Sequence, residues 1–299
     1  MFLLLPSDIY DKRVPDPDFA DEARAAESHG IIVVLFHLES LREKDLPRAI
    51  VATPPAAQQD TALLYRGWML SNAEYTTLHD VLREERGFRL VTDPAQYAEA
   101  HYLPNAYDHI AGATPKSVWT VGADYETAWE MYESWGRPAA IVKDYVKSAK
   151  HRWKEACFLP SGSRRAHFDA VLTALHDYRG PDFAGGFVLR QFAPLRVVGE
   201  TRFGQPIHEE YRLFFADGEC VVHTPFAVSA DFDGNIEGWR GIARRFGSRF
   251  MTMDVARTEP GGWIVVETGD GGVSGLPEGI TPETFYASLP SSLFAPNRD

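Results

Sequence analysis

Near the end of the chain, residues 251–271 read MTMDVARTEPGGWIVVETGDG. Two strand-like runs flank Glu259-Pro260-Gly261-Gly262, a turn signal, so the segment reads as a β-hairpin. Pairing Thr258 with Trp263 sets a register that puts Asp254 directly opposite Glu267. Facing carboxylates on neighbouring strands repel and need compensation. On an exposed edge, solvent supplies it; inside the protein, a hard divalent cation does. Mg²⁺ suits the second reading, because it takes one or two carboxylates and completes its shell with water and phosphate oxygens. Asp270, in the loop Thr268-Gly-Asp-Gly-Gly272, adds a third acid. Glycines there permit close approach of backbone to phosphate. Asp254, Glu267 and Asp270 are therefore the expected metal ligands, and a nucleoside triphosphate is the expected companion.

The chain has 299 residues, enough for two or three units with their own cores, and 44% of them are hydrophobic, as in a folded protein. A net charge of −12 argues against broad nucleic-acid or anionic-membrane binding. Binding a triphosphate then requires cations concentrated in one place. Cys157 and Cys220 are too few for a disulfide framework, which makes a cytoplasmic location the expectation. The N-terminal Met-Phe-Leu-Leu-Leu-Pro lacks the basic region and length of a signal peptide. No apolar run approaches the roughly 18 residues needed to span a bilayer.

Three units follow from the pattern. Residues 1–110 read as α/β: strands at Phe2–Leu5, Ile31–Phe36 and Phe88–Val91 alternate with helices. One helix carries Phe19, Ala23 and Ala26 and stops at Gly30. Another opens with the capping box Ser71-Asn-Ala-Glu74 and stops at Gly87. Residues 111–193 read helix, strand, helix, strand. Asp124 caps a helix bearing Ala128, Trp129, Tyr132 and Trp135, and a strand spans Ala139–Val146. A second helix carries Phe168, Val171, Leu172, Leu175 and Tyr178, before a last strand over Gly186–Phe192. Residues 194–299 read as mostly antiparallel, with a hairpin around Asp217-Gly218, a helix near Glu237–Phe246, and the carboxylate hairpin.

The cationic candidates sit in strands. Lys143 closes the apolar run Ala-Ala-Ile-Val-Lys, where its amine either reaches solvent or meets an anion. Lys147, Lys150 and Arg152 follow it, and Lys116 is a second lysine candidate. Arg190 and Arg212 lie inside strand-like segments. Arginine forks phosphate or carboxylate oxygens, though Glu209 or Glu210 could equally pair Arg212. Arg66, beside Gly67, and Arg244 are the expected contacts to an anionic substrate. His101 and His109 flank an aromatic patch and have no metal-ligand spacing.

No P-loop, dinucleotide-binding glycine motif, protein-kinase motif or nucleophile elbow is present. The order strand lysine (Lys143), hinge strand (Phe187–Phe192), strand arginine (Arg212), then Asp254 and Glu267 on a hairpin resembles the ATP-grasp superfamily. Within it, the chain looks most like the poorly characterised clade defined by two arginines and a lysine, here Arg190, Arg212 and Lys143. The resemblance implies a pre-ATP-grasp α/β domain (1–110), a small ATP-grasp subdomain acting as lid (111–193) and a large subdomain with the metal site (194–299). ATP would lie between two α+β subdomains. Lys143 would bind α- and β-phosphates with help from Lys116, and the hinge at Arg190, Gln191 and Phe192 would contact adenine. Arg212 would approach the γ-phosphate, with Lys143 and Arg212 the catalytic pair. Two positions depart from the usual pattern. Arg190-Gln191 replaces a hinge acid, and Gly269 replaces the asparagine of Glu-x-Asn, leaving that ligand position to Asp270. Ser148 and Lys150 stand where a glycine-rich lid loop is usual.

The activity this implies is an ATP- and Mg²⁺-dependent ligase joining a carboxylate to an amine through an acyl phosphate. Its partner is a small-molecule or peptide substrate, and a homodimer is compatible with it. A phosphotransferase on the same fold, or a non-catalytic nucleotide-binding protein, are the alternatives. Product analysis separates the first two, and turnover the third.

Overall fold

The computed structural model describes residues 1–226 and 232–295. Apolar strands at β1 (Phe2–Pro6), β2 (Ile32–Phe36), β3 (Thr61–Tyr65) and β4 (Phe88–Leu90) assemble a parallel sheet in the order β2-β1-β3-β4. Near-continuous burial of Leu3, Leu4 and Leu5 is what a parallel strand covered on both faces requires. The helix Asn72–Arg86 begins with the reciprocal Ser71–Glu74 capping box and ends at Gly87, whose φ is +73°. A second capping box, Asp93 with Gln96, starts Pro94–His101. Sequence pattern alone does not reveal β3, a five-residue apolar run too short for periodicity to classify.

The next sheet has the order β5-β8-β6-β7, built from β5 (Ser117–Trp119), β6 (Ala140–Lys143), β7 (Phe158–Leu159) and β8 (Val188–Gln191), all antiparallel. Helices Tyr125–Ser134 and Arg165–Arg179 cover one face, where Leu189, Val142 and Phe187 join Tyr132, Phe168 and Leu172 in a core. The strand expected to run to Val146 stops at Lys143. Asp144 stops it: its Oδ1 accepts the backbone N–H groups of Val146 (2.7 Å) and Lys147 (2.6 Å), closing a turn.

A two-stranded ribbon, β9 (Val197–Glu200) with β10 (Pro206–His208), leads into the last sheet. There β11 (Glu210–Ala216), β12 (Glu219–Pro225), β13 (Phe250–Arg257) and β14 (Trp263–Asp270) lie antiparallel in the order β12-β11-β13-β14. Asp217 and Gly218 both take positive φ, 51° and 78°, as the tight turn between β11 and β12 demands. The last α-helix, Pro282–Ser288, bridges this sheet and the first unit, with the Phe285 ring 5.0 Å from that of Phe214 on β11. Its Phe285 and Tyr286 pack with Leu3, Leu5, Ala23 and Ala26 of the first unit, joining the two ends of the chain in one core.

Candidate active site

Arg212, Asp254 and Glu267 are consecutive partners across β11, β13 and β14, so all three project from one face of the sheet. The facing of Asp254 and Glu267 arises differently from the sequence expectation. At the hairpin end, Arg257 pairs with Trp263 and Val255 with Val265. Continued regularly, that register would set Asp254 against Val266. A β-bulge at Val266 inserts one residue and brings Glu267 opposite Asp254.

Asp254 is buried, and Arg212 forks it: Nε lies 2.8 Å from Oδ1 and Nη2 2.7 Å from Oδ2. The remaining arm of Arg212 donates to the Gly275 carbonyl at 2.8 Å. Glu209 is occupied elsewhere, with Arg196 at 3.3 Å and Arg257 at 3.6 Å. Burial raises the Asp254 pKa, Arg212 opposes this, and the Glu267 charge adds to it. Glu267 shifts the other way. Burial pushes it up, but Lys143, Lys147, Lys150 and Arg212 together bring it below the ordinary value. Sequence reading did not single out Glu210 as part of this set. It stands two residues before Arg212 on the same face, and its pKa is raised by burial and by repulsion from Asp254 and Glu267, against Lys150.

Opposite these acids stands Lys143 on β6. It is 8% exposed, and burial lowers its pKa to about 8 against the pull of Glu267. Lys143 pairs with Val188, and Arg190 lies two residues further along β8, so Lys143 and Arg190 share a face of the small sheet. The Asp144 turn that follows presents Lys147 and Lys150 at the surface. Arg179 (2.7 Å) and the Ala184 N–H (3.3 Å) hold the Asp144 carboxylate in place.

Arg190 is not disposed as the expected adenine contact. Its guanidinium donates to the Val266 carbonyl (Nη1, 2.6 Å), the Val265 carbonyl (Nη2, 2.6 Å) and the Thr114 hydroxyl (Nη2, 2.6 Å). Burial lowers its pKa to about 10, with Glu267 pulling upward. The neighbouring Gln191 is exposed and bonds through its N–H to the Lys116 carbonyl. Phe192 packs against Trp153 and Phe158. The Lys116 ammonium sits 5.2 Å from the Trp135 ring centroid.

Three expected site residues lie apart from this group. Asp270 is three residues beyond Glu267, and strand alternation sends it to the opposite face, where it pairs with Met251. It is enclosed near Tyr65, Tyr75 and Tyr97, accepts the Gly272 N–H at 2.8 Å, and is pushed by burial up to about 7. It is therefore no partner to Asp254 and Glu267 in a metal site. The glycines around it serve protein packing. A Cβ on Gly271 would meet the Phe250 ring at 2.5 Å, and one on Gly272 would meet the Tyr65 carbonyl oxygen at 2.6 Å. Arg66, expected to bind an anion, is 1% exposed and already neutralised: Nε and Nη2 clasp Glu22 at 2.9 and 2.7 Å, and Nη1 donates to the Gly271 and Ser274 carbonyls. Arg244 pairs with Glu219 beside the Gly218 turn, at the end of β11 away from Arg212.

Among the described residues, no group of three or more His, Cys, Asp or Glu is placed to hold a metal by itself. Two buried or half-buried carboxylates beside clustered lysines instead form a donor set that is complete only with phosphate oxygens, as Mg²⁺ prefers. Next to this face lies a cavity of about 260 Å³ between residues 66–69 and 273–275, walled by Phe19, Trp68, Met69 and Val273. Gly275 lines this cavity and gives its carbonyl to Arg212.

Residues 133–289 match the family model for an ATP-grasp domain, family 3 of the clade named for two arginines and a lysine. No curated protein gives a significant match. Among solved structures, the D-cycloserine synthetase DcsG aligns with a TM-score of 0.61 at 15% identity, over 98% of this chain and 100% of that one. A RimK domain ATP-grasp protein from Sphaerobacter thermophilus DSM 20745 aligns at 0.57 and 16% identity, over 92% of each chain. The ATP-grasp ligase PsnB, complexed with a minimal precursor, aligns at 0.56 and 14% identity, over 99% and 98%. At these identities the likeness carries the ATP-grasp fold.

Proposed function

The chain belongs to family 3 of the two-arginine, one-lysine clade of ATP-grasp domains, and from that membership we propose that it is an ATP-dependent ligase joining a carboxylate to an amine or similar nucleophile. The observation that carries the proposal is the Asp254–Glu267 pair on one sheet with Lys143 coupled to it from another. Bound Mg²⁺ would neutralise phosphate charge and hold the triphosphate in line. Asp254 and Glu267 would hold that ion. Lys143, assisted by Lys116, would bind α- and β-phosphates, and Lys147 and Lys150 would close over them from the Asp144 turn. Arg212 would stabilise the transferring γ-phosphoryl group, exchanging its grip on Asp254 for phosphate oxygens.

Transfer of that group to a substrate carboxylate yields an acyl phosphate and ADP. Attack by the nucleophile then forms the new bond and releases phosphate. The cavity beside Arg212 is the proposed acceptor site. Its wall carries aromatic and aliphatic side chains, and its arginine, Arg66, is already paired, so it suits an uncharged apolar group on a small molecule or peptide. PsnB, of the same fold, is described with a precursor peptide. We propose units at 1–110, 111–193 and 194–299, a homodimer, and a cytoplasmic location in keeping with two unpaired cysteines. No described helix is long and apolar enough to cross a membrane.

The test is ADP release with Mg²⁺ and pooled amino acids, peptides and polyamines, with products read by mass spectrometry. A stoichiometric conjugate supports the ligase, a stable phosphorylated product supports a phosphotransferase, and absence of turnover with every acceptor removes both. Lys143→Ala and Glu267→Gln must each abolish ADP release.

A further inference from the structure

Arg190 reaches out of the small sheet and grips the backbone of β14 where the pairing of that strand is irregular. Its Nη1 and Nη2 donate at 2.6 Å to the carbonyls of Val266 and Val265, the bulged residue and the one before it. A bulge leaves backbone groups outside the ladder, and a buried carbonyl needs a partner. Arg190 supplies it, and Thr114 fixes the guanidinium from the side through its hydroxyl at 2.6 Å. The Thr114 hydroxyl also donates to the Val265 carbonyl at 2.8 Å, and the Val265 N–H bonds to the Ala113 carbonyl at 2.7 Å. The irregular part of β14 is thereby held from outside its own sheet.

We propose that Arg190 is a positioning residue: by stabilising the Val266 bulge it sets Glu267 opposite Asp254, and it does so without touching the nucleotide. The register gives the physical reason. If Val266 were paired in a regular ladder instead of bulged, Asp254 would face Val266 and the Glu267 carboxylate would lie on the other side of the strand. Because Arg190 belongs to the small sheet, the carboxylate pair is assembled only while that sheet is seated against β14. Metal binding and closure of the two subdomains are thus linked through one side chain. The inference rests on the ligase reading for the identity of the site.

The probes are Mn²⁺, standing in for Mg²⁺, and a non-hydrolysable ATP analogue. Nucleotide affinity is measured in EDTA, and Mn²⁺ affinity at saturating nucleotide is measured by electron paramagnetic resonance. Arg190→Lys keeps the charge but loses the fork. It is expected to weaken Mn²⁺ binding tenfold or more and to change metal-free nucleotide affinity less than threefold. Amide hydrogen exchange over residues 263–268 should rise in the same variant. Deleting Val266 offers a rescue, since a regular ladder then places the glutamate opposite Asp254 unaided. In that background, Arg190→Lys should leave Mn²⁺ affinity unchanged. Equal losses of nucleotide and Mn²⁺ affinity in Arg190→Lys, or no loss of either in a folded protein, overturn the inference alone. A wild-type protein that binds neither probe overturns the ligase reading together with it.

Discussion

Arg212 closes on Asp254 with both arms of its guanidinium, at 2.8 and 2.7 Å, in a setting where the aspartate is only 5% exposed. Each group needs the other, since a buried charge without its partner is costly and removing one member of such a pair typically loses about 3–5 kcal/mol. Arg212→Met is expected to destabilise the protein by roughly that amount in urea unfolding, and Arg212→Met with Asp254→Leu to recover most of it. A single variant within about 1 kcal/mol of wild type in that assay means the pair does not hold this face together.

Lys143 gives nucleotide binding a pH dependence of defined sign. Burial lowers its pKa to about 8, so the ammonium is present below that pH and lost above it. Phosphate binding favours the charged form and raises the pKa of the complex. Affinity for a non-hydrolysable ATP analogue should therefore be level up to about pH 8 and then fall by about tenfold per unit. Lys143→Ala should bind weakly at every pH with no such break. Calorimetry from pH 6.5 to 9.5 decides between them.

Asp270→Asn separates the three acids of the hairpin. Burial raises the Asp270 pKa to about 7, so the folded protein holds a proton that the unfolded chain releases between pH 4 and 7. The stability this group contributes is present below its unfolded pKa and is lost as pH rises through about 7. The amide removes the titration and should stabilise the protein by about 1–3 kcal/mol at pH 8 while leaving ADP release intact. Asp254→Asn and Glu267→Gln should do the reverse, abolishing turnover. Loss of activity in a stable Asp270→Asn protein would return Asp270 to the metal site.

His101 acts with the opposite sign. Burial lowers its pKa to about 4, its Nε2 has no hydrogen-bond partner, and it stacks on Tyr97 with ring centroids 5.1 Å apart. The unfolded chain takes up the proton first as pH falls. Stability is therefore full above about pH 6.5 and declines toward pH 4, by about 3 kcal/mol from this residue. His101→Phe keeps the stack and should flatten that part of the acid limb in urea titrations at pH 4 to 7. An unchanged slope is the contrary result.

Gly272→Ala tests how the loop after β14 is held. The added Cβ would sit 2.6 Å from the Tyr65 carbonyl oxygen, a backbone atom that cannot turn aside. Overpacking of this kind costs about 1–3 kcal/mol. The accompanying shift should disturb the Gly67 N–H to Gly272 carbonyl bond, now 2.9 Å, and be visible as faster amide exchange at Gly67. Wild-type stability and exchange in the variant would mean the loop has room that this contact denies.

Much of the fold is legible in local chemistry. The Ser71–Glu74 box, the Gly87 stop and the Asp217-Gly218 turn each depend on groups a few residues apart, so their residue types announce them. Strand alternation, read strictly, also sends Asp270 to the face opposite Glu267, whereas the facing of Asp254 and Glu267 depends on the bulge at Val266. The site is legible to the extent that Lys143, Arg212 and the two acids stand out as charges in apolar strands.

The amino-acid sequence by itself determined the longer helices and strands, their order and which strands carry misplaced charge, because those follow from period, caps and turns acting over short range, while short strands such as β3 gave no periodic signal. Tertiary structure alone decided what each charge meets. Arg66 finds Glu22 and the carbonyls of Gly271 and Ser274, Arg190 finds the bulge at Val266, and Val266 shifts the register by one. The physical reason is that a buried charge must be paired, and its partner is chosen by whichever packed neighbour reaches it, whether 44 residues away along the chain, as Glu22 is from Arg66, or 205, as Gly271 is.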